Sequence, residues 1–137
     1  MDTFTGMFSI ASHFAYALVD TGATHSCISK EFRNVCGLPV KVVSDVAMCV
    51  NTPIGPSSFV TKVVESVEVV VESCSMPIDM LVFPMLDFDV VLGMNWLNKY
   101  KVVIDCFDAS LSFMSKGIQV KHQLLKPRPS FMPTMEL

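Results

Sequence analysis

The sequence has no C-x-x-C pair, no basic stripe interleaved with aromatic residues, and no long unbroken apolar run. Each absence closes off a class. Asp, Pro or Ser interrupts the apolar stretches well before the roughly 20 residues a spanning helix needs, so no membrane partner is expected. The opening segment, MDTFTGMFSIASHFAYALVD, lacks a positive n-region and feeds straight into Asp20, which argues against a signal peptide. Ten Lys+Arg against 13 Asp+Glu give a net charge of −3, so nucleic acid is not the expected partner. The five cysteines, at positions 27, 36, 49, 74 and 106, are odd in number; reduced thiols and a cytoplasmic location are the plain expectation. His25 and Cys27 alone are too few and too close for a zinc site, so neither metal nor cofactor is expected.

What is present is apolar. Hydrophobic residues make up 51% of 137, and mean hydropathy is +0.50. A chain this short leaves much of its surface wet, so the excess points to a second burial site such as a subunit interface. Residues 1–12 read as a linker end, 13–115 as one domain, and 116–137, with Pro127, Pro129 and Pro133, as a second linker.

Within the domain, Phe14 to Val19 is predicted as a strand and His25 to Ser29 as a short extended piece. Ser29 suits the N-cap of a helix over Lys30 to Cys36 that stops at Gly37. A strand over Val40 to Val50, a turn at NTPIGP (51–56) and a long valine-rich return over Ser58 to Glu72 read as a hairpin. A kink or bulge near Glu65 and Ser66 explains its change of phase. Strands follow at Met76 to Phe83 and Val90 to Leu92, then two helical turns over 94–100. Val102 to Phe107 pairs with Leu111 to Met114. Trp96 reads as core, and Glu65, Glu68 and Glu72 as a solvated edge. The class is mainly β.

Two clusters carry chemistry. Asp20-Thr21-Gly22-Ala23 puts a carboxylate at the end of a buried strand, where Asp is a poor choice unless its charge is needed. Gly22 supplies unusual torsions and close approach, and Thr21 a bracing hydroxyl. In DVVLGMNWL (89–97) a buried strand ends at Gly93 and enters a helix.

Together, ALVDTGATHSCISKEF, NTPIG and FDVVLGMNWLNKYKVVIDC resemble the retropepsin-like aspartic protease of plant gypsy-type retrotransposon polyproteins, over about Phe14 to Met114. The resemblance implies a single-lobe closed β-barrel with a flap hairpin and short helices. It implies that Asp20 is catalytic, that Thr21 grips its counterpart across a dimer axis, and that Gly22 accepts substrate backbone. Ala23 completes the loop and Gly93 packs beneath it. Residues 48–59 become the flap, with Asn51, Thr52, Pro53, Ile54 and Gly55 meeting substrate. The family's G-M-D-W-L stands here as Gly93-Met94-Asn95-Trp96-Leu97, which implies weakened dimerisation. Thr24 stands where viral relatives often carry an acid.

Peptide hydrolysis by this chemistry needs two carboxylates around one water, one as base and one as acid. None of the other aspartates repeats D-T-G or D-S-G. The chain supplies half a site, and a two-fold homodimer supplies the other half. The expected partners are therefore a polypeptide substrate and a second copy. VDTGATHS also resembles the first phosphate loop of sugar kinases and actin-like proteins, but that fold needs two lobes and more than twice this length. The rival reading is a retropepsin-like module that dimerises or binds peptides without cutting them. No nucleocapsid knuckle or polymerase segment is visible, so a protease-bearing fragment or a degraded copy is expected.

Overall fold

The computed structural model describes residues 4–43, 48–52, 55–60 and 62–125. In chain order the elements are β1 (Phe4–Ile10), β2 (His13–Val19), β3 (Cys27–Ser29), α1 (Lys30–Cys36), β4 (Lys41–Val42), β5 (Met48–Thr52), β6 (Gly55–Val60) and β7 (Lys62–Val67). There follow β8 (Val69–Val71), β9 (Cys74–Ser75), β10 (Ile78–Phe83), β11 (Val90–Leu92), α2 (Met94–Lys99), β12 (Val103–Asp105), β13 (Ser110–Ser115) and β14 (Ile118–Gln123). The mainly β class holds. Nine strands form one curled half-barrel sheet in the order β4-β7-β10-β3-β11-β2-β1-β8-β9, beside the three-stranded sheet β12-β13-β14 and the hairpin β5-β6. No pairing joins β4 to β9 among the described residues. No helix among them is long and apolar enough to cross a membrane.

The ends of the chain depart from the linker reading. Phe4–Ile10, inside the segment read as a linker end, is a strand paired along its whole length with β2, from Phe4↔Val19 to Ile10↔His13. Its inward residues alternate, with Phe4, Phe8 and Ile10 buried, as a half-buried strand requires. Ala11 and Ser12 both take positive φ, 50° and 68°, making the two-residue turn whose twist suits a hairpin. Ile118–Gln123 likewise pairs with β13 instead of leaving the domain, and Leu125 bridges to Thr5.

Other local readings hold. Ser29 Oγ accepts from the Phe32 amide at 3.0 Å, and Gly37 ends α1 at φ 67°, a torsion that favours glycine. Between β7 and β10 the register jumps from Val64↔Met80 to Val67↔Ile78, so two residues face one. That is a bulge. Ser66 sits in it at φ 51°, and its amide donates to Asp79 Oδ1 at 2.8 Å. Of the strand expected over Val40 to Val50, β4 and the start of β5 are extended, and 44–47 lie outside the described residues.

The main core gathers Phe8, Ile10, Val64, Met80, Leu92, Leu111 and Trp96. Trp96 is fully buried, edge-on to Phe8 with ring centroids 6.4 Å apart, and its indole N–H donates to the Met76 carbonyl at 3.1 Å. A buried indole nitrogen needs such a partner. A smaller cluster of Leu18, Ala23, Cys27, Leu81, Phe83, Met85 and Val91 packs separately and includes the loop residue Ala23.

Candidate active site

Strand order positions the site. β11 lies between β2, with which it runs parallel, and β3, with which it runs antiparallel. The chain leaving β2 must therefore cross the end of β11 to reach β3, and residues 20–26 make that crossing. Asp20 sits where the crossing begins, its amide donating to the Leu92 carbonyl at 3.0 Å.

The loop braces itself. The Gly22 amide donates to Asp20 Oδ1 at 2.9 Å, and the Ala23 amide donates to the Asp20 carbonyl at 3.3 Å. One carboxylate oxygen is thus held by backbone, which fixes the side chain's direction. Gly22 does not sit in the left-handed region. A Cβ there would lie 3.3 Å from Asp20 Oδ1, a tight contact that the carboxylate would have to ease by a few tenths of an ångström. Thr21 and Gly22 are exposed, Asp20 half-buried and Ala23 buried.

Gly93 lies directly against this loop. An added Cβ would meet the His25 carbonyl oxygen at 2.5 Å and that of Ala23 at 2.8 Å. From there α2 starts by hydrogen-bonding to the loop: the Met94 amide reaches the Ala23 carbonyl at 2.7 Å, and the Asn95 amide reaches that of Thr24 at 3.2 Å. The structure therefore brings Asp20, Thr21, Gly22, Ala23 and Gly93 into one unit.

Two residues complete it that the sequence reading did not single out in these roles. Ser26 is fully buried; its hydroxyl accepts from the Gly93 amide at 3.0 Å and donates to Asn95 Oδ1 at 2.7 Å. Asn95 Oδ1 also accepts from the Trp96 amide at 2.9 Å, and Nδ2 donates to the Asp79 carbonyl at 3.4 Å. The signal was a hydroxyl at the entrance to a buried strand, a position that demands a partner.

The hairpin β5–β6 pairs Met48↔Val60 through Thr52↔Gly55, which puts Asn51, Thr52 and Gly55 at its tip. Pro53 and Ile54 lie outside the described residues. Beside the loop, a pocket of about 510 Å³ is lined by Asp20 and Thr21 together with apolar side chains that include Phe4, Met94, Leu97 and Ile104. In the small cluster that holds Ala23, burial pushes the Cys27 thiol up to about 12, so this sulfur stays neutral and inert. Among the described residues no three His, Cys, Asp or Glu side chains are arranged to hold a metal ion.

The fold is shared with solved structures. It is similar to the retroviral protease-like domain of Ddi1 from Leishmania major, with a TM-score of 0.70 at 19% identity, covering 91% of this chain and 95% of that one. It is similar also to a retropepsin-like aspartic protease from Rickettsia conorii, with TM-score 0.55, 21% identity and coverage of 90% and 86%. The EIAV protease complexed with the inhibitor HBY-793 gives 0.55 at 18% identity, covering 74% of this chain and 90% of that one. No curated protein sequence matches. Residues 1–124, a span that holds every strand from β1 to β14, match the family described as Retroviral aspartyl protease, and the chain belongs to that family.

Proposed function

We propose that this chain is an aspartic endopeptidase that works as a homodimer, with Asp20 of each copy contributing one carboxylate. The observation that carries this reading is the loop itself. A single D-T-G aspartate stands at a strand end with one oxygen tied to the Gly22 amide. The apolar pocket beside it gives a second copy a surface to cover. Two carboxylates about 3 Å apart repel by about 5 kcal/mol at an effective dielectric near 20. Such a pair holds one shared proton over a wide pH range. The charged member takes a proton from water while the protonated one polarises the scissile carbonyl. The hairpin β5–β6, with Asn51, Thr52 and Gly55 at its described tip, closes over an extended peptide and excludes water, and Pro53 and Ile54 are the further residues of that sequence we assign to substrate contact.

The substrate we propose is a polyprotein, of the plant gypsy-type retrotransposon class that the motifs resemble, met in the cytoplasm. One observation favours a second reading. The likeness to the retroviral protease-like domain of Ddi1 spans 91% of this chain, and a module that dimerises or binds peptides without cutting them would keep the same fold. Incubating purified protein with a peptide library at mildly acidic pH separates the two. Cleavage that disappears in Asp20→Asn supports the protease; saturable peptide binding with no cleavage in the parent chain supports the module.

A further inference from the structure

The chain is net negative, yet Lys30, Arg33 and Lys62 line one pocket of about 300 Å³ with Val40, Val82 and Pro84. The pocket lies where α1, the segment after it, β7 and the end of β10 meet, and it shares no lining residue with the pocket beside Asp20. Among the described residues no carboxylate is paired with these three cations; Glu65, on the same strand as Lys62, is engaged by Lys41 at 3.5 Å. Arg33 Nη1 donates to the Leu38 carbonyl at 3.1 Å, which holds the guanidinium in place. Its Nε is buried and has no acceptor among the described residues. A buried donor without an acceptor is costly to maintain and calls for an explanation.

We infer that this pocket binds an oxyanion, a phosphate or carboxylate group, free or carried by a peptide. A guanidinium fork offers N–H donors in the geometry that two oxygens of such a group accept, and the two ammonium groups add point charges. Val40, Val82 and Pro84 form the apolar wall beside these cations. The inference stands whether or not Asp20 performs hydrolysis.

The test is an amide NMR titration of the full chain with inorganic phosphate, a short phosphoserine peptide and the same peptide carrying glutamate. Saturable shifts at Arg33, Lys62 and Val82 are expected, with binding about tenfold weaker in Arg33→Gln and in Lys62→Gln. Lys121→Gln, on β14, should bind as the parent does. Phosphate binding as tightly as the phosphopeptide assigns a free anion; binding of a peptide alone assigns an anionic side chain. Lys62 is exposed, so its variant keeps the test open if Arg33→Gln fails to fold. Absence of saturable shifts with all three probes, or shifts undiminished in Lys62→Gln, overturns the inference.

Discussion

Gly93 stands so close to His25 that a Cβ on it would lie 2.5 Å from the His25 carbonyl oxygen. The obstacle is backbone, which cannot rotate aside as a side chain can. Gly93→Ala should therefore push the crossing loop off β11, costing about 1–3 kcal/mol or more. Urea denaturation should show a lower midpoint, and any proteolysis should fall further than stability alone explains, because Asp20 moves with the loop. An unchanged midpoint would mean that the loop does not rest on this glycine.

Ser26 and Asn95 give a second, graded expectation. Ser26→Ala strands the buried Gly93 amide and removes a donor to Asn95, a loss of about 1–3 kcal/mol. Asn95→Ala should cost a similar amount. Asn95→Asp keeps an acceptor for the Ser26 hydroxyl and the Trp96 amide but turns the donor to the Asp79 carbonyl into an oxygen that repels it, across a long contact of 3.4 Å. It should lie within about 1 kcal/mol of the parent. Chemical denaturation of the three variants ranks them.

These couplings mark where the sequence ceased to be legible. Ser29 and Gly37 announced α1 because capping is local chemistry written at fixed offsets. Val90–Leu92 and Gly93 were readable as strand and stop for the same reason. The hairpin of β1 and β2 was not, although Phe4, Phe8 and Ile10 alternate inward, because Ala11-Ser12 carries no Asn-Gly signal for the turn it makes. Strand β14 reads polar, with exposed Gln119, Lys121 and Gln123, since it packs only part of one face. Ser26 gave little warning, because its partners are Gly93 and Asn95, nearly 70 positions away. Gly22 was expected to supply rare torsions and close approach; it lies outside the left-handed region, and a Cβ there would come within 3.3 Å of Asp20 Oδ1.

If the site is shared between copies, Asp20→Asn should act as a poison. Mixed in equal amounts with the parent and allowed to exchange, it should leave about one quarter of the dimers with two carboxylates. Specific activity per parent chain should fall to about half. Asparagine retains an oxygen for the Gly22 amide, so the variant should melt close to the parent. Activity unaffected by the mixture would show that each chain works alone.

Cys27 predicts alkaline behaviour. Burial raises its thiol from 9.0 to about 12, so above pH 9 the unfolded chain gives up a proton that the folded chain keeps. The stability this burial provides is complete below pH 9 and lost as pH climbs toward 12. The urea midpoint should fall through that window, and Cys27→Ala should flatten the slope. At neutral pH an alkylating reagent should modify exposed Cys106 in the native protein and reach Cys27 only on unfolding.

Residues 116–125 offer the sharpest contrast between a linker and a structural strand. Leu124 is only 3% exposed, its amide donates to the Ala109 carbonyl at 2.8 Å, and the next amide donates to Thr5 at the same distance. On β14, His122 Nδ1 lies 2.8 Å from Glu72 Oε2, and its ring packs on Phe8 with centroids 4.9 Å apart. The C-terminal strand thus clamps β1 against the rest of the sheet. Glycine at position 6 makes room for the clamp, since a Cβ there would come within 2.8 Å of Leu124 Cδ2. Leu124→Ala should cost about 2–5 kcal/mol and lower the melting temperature by about 10 °C. A chain ending at Ser115 should lose more, because it also bares Leu111 and Phe113. A melting temperature unmoved by Leu124→Ala would return this segment to the status of a linker.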